Sequence, residues 1–347
     1  MTKLRLGIVG CGAITEGAHL PAALTSDTVD LTALVDVSKV RLGHLNRQYG
    51  LSCLMATDVT EVMSQVDAVI LAIPNALHAS IGVKLLSSGI HVLCEKPLAV
   101  TAQECEELCL AARKGSAVLA VGYMTRFYPS TVLTKDLLDS GFLGEILSFG
   151  YEFGTEGGWA PLSGYNLKRE TSGGGVLIIS GSHFIDRMLY LFGKVRMVKY
   201  YDDSRGGVEA NCILDVIGTV NDTDCPGMIT LSKTHRLANA LRITGERGVL
   251  MIREGQSLSV TFTPLGSNLS HEVTFPQSGG VGPEEDYYRV QLEDFVHAIQ
   301  SRQEPRVNGE SGAASAALIE QCYSSVTPLE EKWCDTTLSQ LMPALPA

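Results

Sequence analysis

The first 123 residues alternate near-continuous apolar runs with segments of helical periodicity, and this leaves few folds open. The runs are "LRLGIVG" (4–10), "LTALVD" (31–36), "AVILAIP" (68–74), "HVLCE" (91–95) and "AVLAVGY" (117–123), with helical patterns over 38–49, 77–88 and 101–113. A strand without polar alternation is covered on both faces, and strands separated by helices form right-handed βαβ units around a parallel sheet. After about residue 124 the pattern changes. A helix over 130–140 leads to "EILSFGYEFG" and then to a glycine-led helix over 174–192. Strand-like stretches follow at 195–202, 211–221, 226–234, 239–244, 248–252 and 258–263, then a loop at 276–285 and helices over 287–301 and 310–326. Strands joined by short turns predict a mostly antiparallel sheet.

At 347 residues the chain exceeds one ordinary core. The expected fold is α/β, with a dinucleotide-binding domain over 1–123 and an α+β domain carrying a large open sheet over 124–347. A net charge of −11 without a Lys/Arg block argues against nucleic acid or an anionic membrane as partner. No apolar run reads as membrane-spanning, and "MTKLRLGIVGCGAI" is too short and glycine-interrupted for a signal peptide. Nine cysteines without CxxC pairing read as free thiols of a cytoplasmic protein. Cys105 and Cys109 share a helical face, but no second ligand pair joins them, so no metal is expected.

Two stretches carry chemistry. In "GIVGCGAIT", Gly10 permits a tight strand-to-helix turn and Gly12 allows close approach of a pyrophosphate. Thr15 holds the third fingerprint position in place of Gly or Ala. Asp36 ends the next strand, 24 residues past Gly12, where a carboxylate accepts ribose hydroxyls and favours NAD. Lys39 and Arg41 follow closely and leave room for the 2′-phosphate of NADP. The second stretch, "AIPNALHASIGVKLLSSGIHVLCEKPLAVT" (72–101), places further polar residues after strand ends, where open α/β sheets bind ligands. The cofactor contacts expected from this placement are Gly10, Cys11, Gly12, Ala13 and Ile14 in the turn, Asp36, then Pro74, Asn75, His78, Glu95 and Lys96.

These pieces, with "GYMTRFYP", "SGGGVLIISGSHFID" and the closing "QLEDFVHAIQSRQEPRVNGESGAASAALIEQCYSS", resemble the Gfo/Idh/MocA family of sugar and inositol oxidoreductases in order along nearly the whole chain. The resemblance implies NAD(P)-dependent hydride transfer at a secondary alcohol or ketone carbon of a sugar, cyclitol or nucleotide sugar, by a homodimer or homotetramer. It implies Lys96 and His183 as catalytic residues. The family's usual aspartate one turn before the histidine falls on Ile179, so this chain departs from the pattern there. Asp186 matches a substrate-contacting position, and Arg126 lies in a segment near the family's cleft. Trp159, Asn166, Lys168 and Arg169 form a polar loop at the expected cleft rim, with Lys168-Arg169 read either as an anion site or as solvated charge. His235 is a weaker candidate, and Tyr287 and Tyr288 read as core or interface. Read as residues alone, Lys96 could be surface charge, His183 a bonded core histidine and Asp186 a structural acid. Two other functions share this sequence pattern: a lyase or glycoside-cleaving enzyme that recycles its nicotinamide, and a non-catalytic cofactor-binding sensor.

Overall fold

The computed structural model describes residues 3–157, 164–275 and 285–329, folded as two compact units. In the first, strands β1 (Leu4–Val9), β2 (Val29–Val35), β3 (Leu54–Ala56), β4 (Ala68–Leu71), β5 (His91–Cys94) and β6 (Leu119–Val121) form a parallel sheet. Their order is β3-β2-β1-β4-β5-β6, so the chain changes direction across the sheet between β1 and β4. A crevice opens at the carboxyl ends of strands at such a switch point. β1 feeds a helix that begins with a π-helical turn, Thr15–His19, and continues as α1 (Leu20–Thr25). Helices α2 (Lys39–Tyr49), α3 (His78–Ser87) and α4 (Ala102–Gly115) connect the later strands. Ser38 caps α2 through its hydroxyl, and Thr101 and Glu104 form a reciprocal capping box on α4.

The second unit opens with α5 (Pro129–Asp139), β7 (Ile146–Gly154) and α6 (Arg169–Ser172). A π-helical turn, Leu177–Gly181, runs into α7 (Ser182–Phe192). Strands β8 (Lys194–Asp202), β9 (Asn211–Val220), β10 (Thr223–Ser232), β11 (Ala240–Gly245), β12 (Gly248–Arg253), β13 (Ser259–Pro264) and β14 (His271–Thr274) follow. Helices α8 (Glu285–Ser301) and α9 (Gly309–Ser324) and strand β15 (Val326–Pro328) close the described chain. The nine-stranded sheet is ordered β14-β13-β12-β11-β7-β10-β9-β8-β15. It is mostly antiparallel, as expected, but β7–β10 and β8–β15 pair in parallel. Phe149, Tyr151, Leu214, Ile229 and Leu231 of the sheet and Ile185, Met188 and Phe192 of α7 form its core.

The division into units differs from a single cut at 123/124. The first unit takes residues 3–127, 164–165 and 285–317, and the second takes 128–157, 166–275 and 318–329. The cause is α8, whose Leu292, Phe295 and Val296 complete the core built on Leu6, Ile8, Leu20 and Leu34. One helical stretch, Arg169–Phe192, does have the length and composition to cross a membrane, contrary to expectation; 72% of its apolar window is buried within the protein, as in the core helix of a globular unit.

Candidate active site

In the first unit the turn after β1 fixes the geometry. Gly10 has φ +96°, and a Cβ there would sit 2.0 Å from the Ala72 carbonyl oxygen, so only glycine fits. A Cβ at Gly12 would meet nothing within 4 Å. That open space is what a pyrophosphate needs beside the backbone. Thr15, fully buried, donates its hydroxyl to the Gly10 carbonyl at 2.6 Å, and so pins the turn from inside at the position where glycine or alanine was expected. Burial, reinforced by Asp36, pushes the Cys11 thiol up to about 12, so it packs as a small apolar group.

Asp36 stands at the end of β2 and accepts the Cys11 and Ser38 amides, one on each carboxylate oxygen, both at 2.7 Å. Each oxygen retains acceptor capacity for a ribose hydroxyl. The Arg41 guanidinium, expected as a 2′-phosphate partner, is committed elsewhere: Nε donates to the Cys11 carbonyl at 2.8 Å and Nη2 to Glu16 at 2.7 Å. A fixed carboxylate at this position suits the adenosine ribose hydroxyls of NAD.

After β4, Pro74 leads into a short 3-10 turn, Asn75–Leu77, with Asn75 buried. His78 differs from its expected role. It is completely buried, with Nε2 2.9 Å from the Ile73 carbonyl and Nδ1 2.9 Å from that of Pro97. Burial lowers its pKa, opposed by the Ile73 and Pro97 carbonyls at its two ring nitrogens. His78 therefore braces the turn after β4 against the chain beyond Lys96, and no ring nitrogen is left for a cofactor.

After β5, Glu95 is also turned inward. Its Oε1 lies 2.7 Å from Nε2 of the buried His19, and its Oε2 accepts the Lys96 amide at 3.1 Å. Burial opposes ionisation, but the His19 hydrogen bond and the charges of His19 and Lys96 outweigh it, so Glu95 is held below the usual carboxylate range. Tyr288 meets the His19 ring edge-on at 5.1 Å. Sequence reading missed His19, which lies 76 positions from its partner and shares no motif with it. Lys96 itself is half-buried at the carboxyl edge of the sheet, before a cis peptide to Pro97. The same unit buries Arg126 in the turn Met124–Phe127.

In the second unit two of the three glycines have a steric cause. Side chains at Gly174 and Gly175 would strike the Tyr323 hydroxyl at 2.2 Å and the Glu209 carbonyl at 2.0 Å. Glu209 is fully buried and accepts the amides of Gly175 (2.8 Å) and Leu177 (2.9 Å) and the Tyr323 hydroxyl (2.7 Å). A distant carboxylate thus caps the helix that carries His183 and Asp186, satisfying amides that would otherwise be orphaned. Ile179 packs at the edge of the core, His183 is half-buried and Asp186 is fully buried on that helix. Beneath it the buried Arg187 donates to Glu254 at 2.6 Å, and the Tyr151 hydroxyl donates to the same carboxylate.

Asn166 is buried, whereas Lys168 and Arg169 are exposed. The Arg169 guanidinium lies over the Tyr323 ring at 5.1 Å, and the Lys168 carbonyl accepts the Thr171 and Ser172 hydroxyls. Trp159 lies outside the described residues. The first unit thus gathers the Gly10–Ile14 turn, Asp36, Asn75 and Lys96 at one sheet edge, and the second sets His183 and Asp186 on one helix.

Two family models match the chain. One, for an oxidoreductase family's NAD-binding Rossmann fold, spans residues 4–123; the other, for that family's C-terminal alpha/beta domain, spans 135–330. A D-glucoside 3-dehydrogenase of Escherichia coli (strain K12) is 29% identical over 214 residues, which is 61% of each chain and so under two thirds of that relative's length. A dTDP-3,4-didehydro-2,6-dideoxy-alpha-D-glucose 3-reductase of Actinomadura kijaniata is 25% identical over 325 residues, 91% of this chain and 94% of its own. Among solved structures, an aldose-aldose oxidoreductase from Caulobacter crescentus complexed with glycerol superposes with a TM-score of 0.80 at 24% identity, covering 93% of this chain and 97% of its own; at that identity the likeness shows the fold.

Proposed function

As this chain belongs to the Gfo/Idh/MocA family of NAD-binding oxidoreductases, we propose that it moves hydride between NAD and a secondary alcohol or ketone carbon of a sugar, cyclitol or nucleotide sugar. The observation that carries the reading is the carboxyl edge of the first sheet, where the open Gly12 turn, the oriented Asp36 and the half-buried Lys96 follow β1, β2 and β5. Relatives named as a glucoside dehydrogenase and a nucleotide-sugar reductase support the substrate class.

Bound nicotinamide supplies the hydride acceptor or donor. The protein's part is orientation and proton management. Gly10 and Gly12 shape the pyrophosphate turn, and Asp36 takes the adenosine ribose. Lys96 donates a hydrogen bond to the reacting oxygen and stabilises developing alkoxide. His183 supplies an imidazole, the side chain suited to exchange the hydroxyl proton near neutrality. His19 and His78 are positioning residues, acting through Glu95 and through the backbone on either side of Lys96. The eight free cysteines among the described residues support a reducing, cytoplasmic setting.

The test is NAD+ reduction and NADH oxidation across inositols, sugars, sugar phosphates and nucleotide sugars. Lys96→Ala is expected to cut turnover by several orders of magnitude while NAD still binds. Near-wild-type turnover in that variant would remove Lys96 from the reaction.

A further inference from the structure

His78, the first residue of α3, has its ring fully buried between three carbonyl groups. Nε2 lies 2.9 Å from the Ile73 oxygen, and Nδ1 lies 2.9 Å from that of Pro97 and 3.3 Å from that of Leu98. A carbonyl oxygen has no hydrogen to give, so each contact is a hydrogen bond only when the ring nitrogen donates. A neutral imidazole carries one N–H and an imidazolium carries two. Only the charged ring can therefore bond both sides at once. In the neutral ring one nitrogen lone pair faces a buried carbonyl, which is left without its donor. Nδ1 faces two carbonyls and Nε2 one, so the neutral ring keeps its proton on Nδ1 and gives up Ile73.

The Ile73 bond matters because of what that residue touches. A Cβ at Gly10 would lie 2.0 Å from the Ala72 oxygen and 2.9 Å from Ile73 Cγ2, and the Ala72 amide donates to the Val9 carbonyl at 2.8 Å. The glycine turn thus rests on the segment whose carbonyl His78 holds. The titratable neighbours of the ring come from the end of β5 and the chain after it. Glu95 favours the second proton, and its own bonds run to His19 and to the Lys96 amide. Lys96 directly precedes Pro97. The Cys94 thiol donates to the Leu98 carbonyl at 3.7 Å and stays protonated, because burial pushes its pKa well up. Burial opposes the second proton on His78, so the ring titrates below the ordinary imidazole value.

We propose that His78 is a proton-operated latch on the NAD site: the imidazolium ties the Ile73 carbonyl behind the glycine turn to the Pro97 carbonyl beyond Lys96, and the neutral ring releases Ile73. This rests on NAD binding at the glycine turn and on no particular sugar. NAD affinity then falls as pH rises through the titration of the ring. A hydrogen bond from a charged donor corresponds to roughly 10- to 100-fold in an equilibrium constant, and with part of that reaching the cofactor the expected fall is about 3-fold or more.

The test uses the full chain between about pH 5 and 8. Ring-nitrogen NMR follows wild type carrying isotope-labelled histidine, with the His78 ring identified by its contact with Ile73 protons. Fluorescence titration measures NADH affinity of wild type, of His78→Gln, whose amide can donate where Nε2 does, and of His78→Asn, whose amide can donate where Nδ1 does. The latch is supported if the ring gains a second N–H with acid while the fold persists and wild-type affinity falls as that proton leaves. Gln should then bind NADH tightly and Asn weakly, both without the pH step. A ring that gains no second N–H before the protein unfolds overturns the proposal. So does a pH step shared by all three proteins, or an Asn variant that binds NADH as tightly as Gln. Should neither variant fold, the wild-type curves decide, and an affinity step displaced from the ring's titration overturns the latch. Absence of turnover on every sugar would refute the proposed reaction and leave this inference standing, because its readout is NADH binding.

Discussion

Removing the Glu209 carboxylate should loosen the helix of His183 and Asp186 at its N-terminus. Glu209→Ala leaves three buried donors, the Gly175 and Leu177 amides and the Tyr323 hydroxyl, without their acceptor. An unsatisfied buried donor costs about 1–3 kcal/mol, so the gross loss is about 3–6 kcal/mol when partial relaxation is allowed. Part of this is offset, because burial raises the Glu209 pKa and shows that the carboxylate is itself held at a desolvation cost. A net loss of about 2–4 kcal/mol remains, a large share of a typical domain's stability. At about 2–4 °C per kcal/mol for a unit of this size, the melting temperature should fall by roughly 5–15 °C. Glu209→Gln should lie between wild type and Ala, since the amide oxygen can serve Leu177 and Tyr323 while its NH2 opposes the Gly175 donor. The assay is thermal and urea unfolding of the three proteins, with kcat measured well below the transition. An Ala variant that melts within about 2 °C of wild type would refute the capping argument. A variant that loses stability but keeps full kcat would show that the cap serves the fold alone.

Gly10→Ala should abolish NAD binding in a chain that still folds, because the Cβ collides with the Ala72 carbonyl at 2.0 Å and the turn must open; cofactor titration by fluorescence checks this, and near-normal affinity would overturn it. Glu95 has a native pKa below its unfolded value, so its contribution to stability is present above about pH 4.5 and is lost as pH falls through the native pKa. The melting temperature should therefore fall more steeply below that pH in wild type than in Glu95→Gln, and parallel curves would show the His19 pair to be energetically silent. Ile179→Asp adds an acid beside His183: a higher kcat with a shifted pH profile would mark the native site as a weakened triad, whereas loss of activity would mark Ile179 as part of substrate recognition. Burying that acid against the core edge should also lower stability, by about 1–3 kcal/mol.

The sequence carries local rules well and distant partnerships poorly. β1, β4 and β5 are runs of apolar residues without alternation, and the glycine turn has a steric requirement at Gly10 that any reading of "GIVGCG" would find. β3 and β15 are three residues long and β14 is four, too short to show a period, and none was expected. The parallel pairing of β7 with β10 was also hidden, because neighbouring stretches joined by short turns suggest antiparallel pairs and these two are separated by α7 and two strands. The displaced unit boundary has the same origin: α8 is amphipathic in sequence, but which core its apolar stripe enters is decided by tertiary contact.

The site shows the distinction most clearly. Motif spacing singled out Lys96, His183, His78 and Glu95 alike, since a motif says that a polar residue is needed and not which way it faces; His78 and Glu95 face inward. His78 and Glu95 serve Lys96 from behind, one by bonding backbone carbonyls and the other by holding a buried histidine. Glu209 supports His183 in the same indirect way, through the amides of the glycine turn. Three buried polar residues of this chain thus bond structural partners, each by a contact across at least five, and as many as 76, positions. The glycines of "SGGGV" follow from this arrangement: they let the capping carboxylate and the Tyr323 hydroxyl approach the backbone, so the helix is placed by what lies outside it. Ile179 can then stand where an acid was expected without disturbing His183's position, because the helix is held by Glu209 at its N-terminus and by its buried apolar face.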